Sequence, residues 1–150
     1  MEWRLKQFKE LLPEELYAII KARIEVFVME QRCIFQDLDD IDQGSYHLFL
    51  TNGKEVAAYA RLIPSGVEYQ ESSIGRVLVR ESHRGKGLSH ELMKQGMGFL
   101  TDQLKEDMIK LKAEFYIKDL YEEYGFKQIS AVFLEDEIEH AYMLFQKGRE

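Results

Sequence analysis

Hydrophobic and polar positions change period several times along the chain, and each change marks an element. Near the start, Trp3, Leu5 and Phe8 alternate with Arg4, Lys6 and Lys9, which predicts an edge strand over residues 2–9. Pro13-Glu14-Glu15 then opens a helix, because proline fits the first turn and acids suit the positive end of the dipole. Leu16, Ile19, Ile20, Arg23, Ile24, Phe27 and Val28 supply its buried stripe to about Glu30, either continuously or with a break near Glu25. Two strands follow, residues 46–50 and 55–63, joined by the hairpin signal Thr51-Asn52-Gly53-Lys54. Pro64-Ser65-Gly66 turns the chain toward a strand rich in β-branched residues, Ile74 to Val79.

Period changes again after that strand. Leu88, Leu92 and Met93 lie on one face of a helix reaching about Lys105, interrupted by Gly96 and Gly98, which weaken it or admit a close neighbour. Residues 108–113 alternate as a strand, and residues 114–124 form a short helix that Gly125 ends with a left-handed cap. Residues 126–134 and 141–146 are expected to pair as strands across a turn at residues 135–140.

Composition narrows the class. A chain of 150 residues with 45% hydrophobic and 31% charged positions suits one domain, residues 1–150, with a real core. No apolar run approaches membrane-spanning length, and the opening Met1-Glu2-Trp3-Arg4 is unlike a secretion signal, so no membrane partner is expected. The one cysteine, Cys33, permits no internal disulfide and fits a reducing cytoplasm. A net charge of −7 argues against nucleic acid as the main partner and leaves cationic small molecules or basic peptide ends as substrates. Monomer and homodimer both remain open.

The densest chemistry lies in Arg84-Gly85-Lys86-Gly87-Leu88-Ser89, between the Val-rich strand and its helix. Glycines allow positive φ and close approach, and the loop opens a helix whose first N–H groups are unpaired. Such a loop holds a phosphate or pyrophosphate, or is a plain strand-to-helix turn with solvated charges. No Gly-Lys-Ser/Thr triplet follows a spaced glycine, and the dinucleotide fingerprint lacks its third small residue.

Arg84-x-x-Gly87-x-Ser89 resembles the Arg/Gln-x-x-Gly-x-Gly/Ala acetyl-CoA loop of the GCN5-related N-acetyltransferases, the GNAT family, with serine in place of the last small residue. Tyr121-Glu-Glu-Tyr-Gly125-Phe126 resembles that family's later Tyr-x-x-x-Gly-Phe motif. Three further stretches are similar to its ElaA-like branch. These are Arg23-x-x-Val-Phe-Val-x-Glu30-Gln31-x-Cys33 followed by acids at 37, 39, 40 and 42, the run Ala58 to Leu62, and His140 before the last strand.

The resemblance implies an α/β (α+β mixed) GNAT fold: a mixed, mostly antiparallel central sheet, splayed open at the acetyl-CoA site and flanked by helices. It implies acetyl-CoA as co-substrate, no metal, and an amine-bearing acceptor. Main-chain groups of Val77, Leu78 and Val79 would hold the pantetheine arm. Residues Arg84, Gly85, Lys86, Gly87, Leu88 and Ser89 would hold the pyrophosphate, and Tyr121 would protonate the departing thiolate. The general base stays open among Glu30, His140 and an ordered water.

On the residues alone, Arg61 is either an exposed strand arginine or one that holds a carboxylate or the acidic loop. Asp39 and Asp42 either belong to a solvated loop or bind substrate. An EF-hand is excluded, because Asp42 and Leu48 stand where Gly and Glu are required. Cys33 reads as a buried small hydrophobe rather than a nucleophile. Glu30, Arg61 and His140 are expected to converge on the acceptor end of the cleft, away from the pyrophosphate loop. A non-catalytic acyl-CoA sensor and an acidic interaction domain are the competing classes.

Overall fold

The structure, a computed structural model, describes residues 1–148. Strand β1 (Glu2–Gln7) leads through a short 3₁₀ turn into α1 (Pro13–Arg23). Glu15, 7% exposed, ties the two together: it accepts from Arg4 and Lys6 of β1 and from the Leu12 N–H just before α1. From Ile24 to Glu30 the helix widens into π-helical turns, so neither a uniform α-helix nor a break near Glu25 describes it. Such widening rotates the following side chains relative to an α-helix.

Strands β2 (Tyr46–Thr51), β3 (Val56–Ile63) and β4 (Ser73–Val79) pair antiparallel with β1 in the order β1-β2-β3-β4. Helix α2 (Leu88–Gly98) follows, again with a π-helical end at Phe99–Gln103. A second sheet comprises β5 (Met108–Glu114), β6 (Lys127–Gln128), β7 (Phe133–Glu135) and β8 (Ile138–Gln146). There β8 pairs antiparallel with the other three strands. The short helix α3 (Lys118–Glu123) lies between β5 and β6.

Two apolar clusters cover opposite faces of the first sheet. Ile19, Ala22 and Val26 pack from α1 and its extension onto Phe49, Val56, Tyr59 and Leu78. Leu92, Met93 and Leu100 pack from α2 onto Leu48, Ala60, Leu62 and Ile74, and the same cluster continues into β5 and α3. Of the two α2 glycines, Gly96 is the one that admits a neighbour: a Cβ there would lie 2.9 Å from the Leu62 side chain, whereas one on Gly98 would meet nothing.

The expected strand 126–134 is two short strands separated by residues 129–132, and the turn after it is tighter than expected. Asp136 and Glu137, at φ +52° and +66°, turn β7 directly into β8. Asp136 suits the first position of such a two-residue turn, but Glu137 stands where glycine is usual, so the sequence signal was weak. His140 consequently stands inside β8, paired with Phe133 and Glu114 in register.

Candidate active site

Two irregularities in β4 open the centre of the molecule. Tyr59–Arg61 of β3 faces Gly75–Leu78 of β4 with one extra residue on β4, and Arg76 at that bulge has φ +50°. The other edge of β4 meets β5 near one end only. There Lys110 donates its N–H to the Ser72 carbonyl (2.8 Å), and the Ser72 hydroxyl donates to the Met108 carbonyl (2.8 Å). Beyond that bridge β4 and β5 part, leaving the main chain toward Val79 without a strand partner on that side. Side chains of Val77 and Val79 lean on the α2-side core, while Leu78 is buried among the α1-side residues. Only the Leu78 backbone, not its side chain, is available to a ligand in the split.

The loop after β4 suits an anion. Gly85 and Gly87 take φ +81° and +76°, and a Cβ built on either would meet open space. The first helical bond of α2 runs from Glu91 N–H to the Gly87 carbonyl. Among the described residues, the N–H groups from Gly85 to His90 therefore lack an acceptor. Lys86 is exposed, and among the described residues it has no ion pair and the Ser89 hydroxyl no partner. Leu88 contributes its N–H, since its side chain packs on the core. Arg84 is already engaged: Nε donates to the Val79 carbonyl (2.9 Å) and a terminal nitrogen pairs with Glu30 (2.7 Å).

That pairing corrects the position expected for Glu30. It lines a surface groove with Met29, Arg80 and Ser82 and braces the loop through Arg84, rather than meeting Arg61 and His140 at the acceptor end. The π-helical end of α1 delivers it there.

Within the split lies a cavity of about 330 Å³. Tyr121, His140, Arg61 and Asp39 all line it, together with β4 from Ser73 to Val77. Tyr121 is 6% exposed, its ring edge-on to Phe126 at 6.0 Å, and its hydroxyl has no partner among the described residues. Burial, with Glu114 and Tyr116 nearby, pushes the phenol well above its ordinary pKa, so it stays protonated through the neutral range. His140, 9% exposed, stacks on Phe133 and directs Nδ1 at the Ile138 carbonyl, 2.7 Å away. A carbonyl only accepts, so Nδ1 carries a hydrogen, and in the neutral tautomer that this fixes, the lone pair is on Nε2. Among the described residues Nε2 has no partner.

Cys33 is a half-exposed wall residue of this cavity, not the buried hydrophobe expected. Burial of its thiol and the neighbouring Asp136, Glu137 and Glu114 push its pKa up, which keeps it a weak nucleophile.

The acidic loop is not a solvated face. Three carboxylates and three guanidiniums interlock beneath the cavity. Arg23, 1% exposed, pairs with Asp37 (2.9 Å) and Asp42 (2.7 Å). Arg61, 2% exposed, forks onto both oxygens of Asp39 and reaches Asp42, each at 2.8 Å. Arg76, at the β4 bulge, pairs with Asp37 (2.9 Å) and Asp39 (3.3 Å). Burial disfavours the Asp39 anion, but the Arg61 hydrogen bonds and the charges of Arg61 and Arg76 outweigh it and hold its pKa at about 2.

His47 completes the layer beneath. Nε2 donates to the Asp42 carbonyl (2.9 Å), Nδ1 accepts from the Tyr59 hydroxyl (2.7 Å), and burial lowers its pKa, all fitting a neutral ring. Asp42 is thus consumed inside the protein, and Arg61 and Asp39 reach the cavity as a neutralised pair. Four aspartates in a loop without a cation read as solvated in the sequence; burial of their partners on β3 and α1 was the missing information.

Residues 12–147 match the family described as an acetyltransferase (GNAT) domain, and the chain belongs to that family. Its antiparallel sheets, flanked by helices and parted at β4 and β5, are the GNAT fold. Among curated relatives, ElaA of Escherichia coli is 32% identical over 145 residues, 95% of each chain. A UPF0039 protein of Schizosaccharomyces pombe is 37% identical over the same length and coverage. An acyl-CoA N-acyltransferase from Pseudomonas aeruginosa superposes with a TM-score of 0.90 at 31% identity, covering 97% of this chain and 99% of its own. The crystal structure of Escherichia coli ElaA gives 0.90 at 32%, covering 97% and 100%. A GNAT acetyltransferase of Elizabethkingia anophelis, solved with acetyl-CoA bound, shares the fold at 13% identity, with a TM-score of 0.63 and 97% of each chain covered.

Proposed function

We propose that this single domain transfers the acetyl group of acetyl-CoA directly to a primary amine in the split between β4 and β5. One observation carries the reading. A buried phenol and a buried imidazole, each with a polar atom that no described residue bonds, line one cavity beside the unpaired edge of β4. The loop from Gly85 to Ser89 supports a donor bearing a pyrophosphate, through free N–H groups, the α2 dipole and Lys86. Arg84 serves chiefly as the brace that fixes the loop to β4.

Each residue then has a defined task. Backbone donors of β4 around the bulge hold and polarise the thioester carbonyl. His140 Nε2 takes a proton from the attacking amine as the C–N bond forms. As the C–S bond breaks, the Tyr121 hydroxyl gives a proton to the thiolate, and the phenolate is reprotonated from the imidazolium or water. The products are an acetamide and the free thiol of CoA, so protons balance over the cycle. Held in line by the two walls, the reactants need no covalent enzyme intermediate. The buried Arg–Asp layer keeps the acceptor wall rigid.

Thiol release from acetyl-CoA across a panel of primary amines tests this. Amine-dependent release, with the acetamide identified by mass, is expected. CoA binding without turnover on any amine would favour the acyl-CoA sensor instead.

A further inference from the structure

The cavity walls bear more negative charge than their cations neutralise. Arg61 and Arg76 are spent on the buried aspartates, and Lys112 pairs with Glu135 at 2.5 Å. Glu68, Glu114 and Asp136 line the same cavity, and none has an ion-pair partner among the described residues. They arrive from three separate places: the β3–β4 connection, the end of β5, and the strained β7–β8 turn. Glu114 accepts from the neutral Gln31 amide, at 3.0 and 3.3 Å. Glu68 is exposed as a residue, yet lost solvation raises its carboxyl pKa, a cost that a nearby ligand cation would offset.

Unpaired acids alone would be an ordinary surface feature. Here they line the same cavity as His140, a buried ring whose Nε2 has no partner among the described residues. A base for one amine and unpaired carboxyl groups for another ask for two different nitrogens. Resting on the acetyl-transfer reading, the geometry points to an acceptor that is a small linear diamine or polyamine. One amine meets His140 as the neutral nucleophile, and a second, still protonated, lies among Glu68, Glu114 and Asp136. A volume of about 330 Å³ matches a small flexible molecule.

The test compares linear diamines of three to eight carbons with monoamines of equal length. In wild type, kcat/KM for the best diamine should exceed that for its matched monoamine by at least about tenfold, the scale of one charge-assisted hydrogen bond. In Glu68→Gln and Asp136→Asn that ratio should fall toward unity, and it should decline with added salt in wild type. Calorimetric titration of the diamine into the CoA-bound protein reads cation recognition without turnover. Binding to wild type that is lost in Glu114→Gln supports the assignment even if the chemistry differs from acetyl transfer. Equal turnover of diamines and monoamines would overturn it while leaving the acetyltransferase reading intact. No diamine binding to wild type would overturn it as well, and so would turnover confined to lysine-containing peptides.

Discussion

Replacing Arg61 by methionine removes one charge from the buried layer under the acceptor cavity and keeps most of the side-chain volume. Three hydrogen bonds to carboxylates disappear, each of 2.8 Å. Asp42 is left with Arg23, and Asp39 with the Ile41 N–H (3.2 Å) and the 3.3 Å contact from Arg76 as its one remaining cation among the described residues. Breaking a buried pair on one side costs about 3–5 kcal/mol, because the remaining charge has lost both water and partner. Against a total stability of about 5–15 kcal/mol for a domain, that is a large fraction. Urea unfolding should show it as a lower midpoint with an unchanged slope. Adding Asp39→Asn to Arg61→Met should recover part of the loss, giving a coupling energy above about 1 kcal/mol.

The cost should also depend on pH. Asp39 has a folded-state pKa of about 2, below its ordinary value of 3.8, so its contribution is present above the ordinary value and is lost as pH falls through the folded one. The gap between wild type and Arg61→Met should therefore narrow from about pH 4 toward pH 2. A loss below about 1 kcal/mol at neutral pH, or a gap independent of acid, would show that the layer does not hold the loop.

Three other outcomes are expected. Gly87→Asp and Gly87→Asn both bear the strain of φ +76°, but only aspartate adds negative charge, so acetyl-CoA affinity in calorimetry should be at least about tenfold weaker for Asp; equal affinities would remove the loop from the phosphate site. Glu30→Gln frees Arg84, so acetyl-CoA affinity should hold or rise slightly with acceptor KM unchanged, whereas a selective rise in acceptor KM would return Glu30 to the acceptor end. His140→Gln should lower kcat by about 10²-fold with acetyl-CoA affinity retained, and wild-type turnover in that variant would leave water as the base.

The strand–glycine loop–helix unit was legible because both of its signals are local: β-branched residues before Val79, and glycines where φ must be positive. Tyr121 was legible for the same reason, since Gly125 caps its helix at φ +91° and fixes which turn the tyrosine occupies. Long-range facts were not. Whether Arg61 is exposed or buried depends on Asp39 and Asp42 folding across β3, 22 and 19 residues away in sequence. Glu30 sits on a helix whose π-helical widening leaves no mark in the apolar stripe, so its direction could not be read. Asp136-Glu137 hid a tight turn because Glu137 stands where glycine is usual.

Turnover by Tyr121→Phe tests the acetyl-transfer account most directly. The substitution removes one hydroxyl that no described residue bonds and keeps the ring against Phe126, so stability and acetyl-CoA affinity should hardly change. If that hydroxyl protonates the departing thiolate, kcat should fall by about 10²-fold. An unchanged kcat with the fold intact, or a variant that unfolds, would contradict the account and make Tyr121 a core residue.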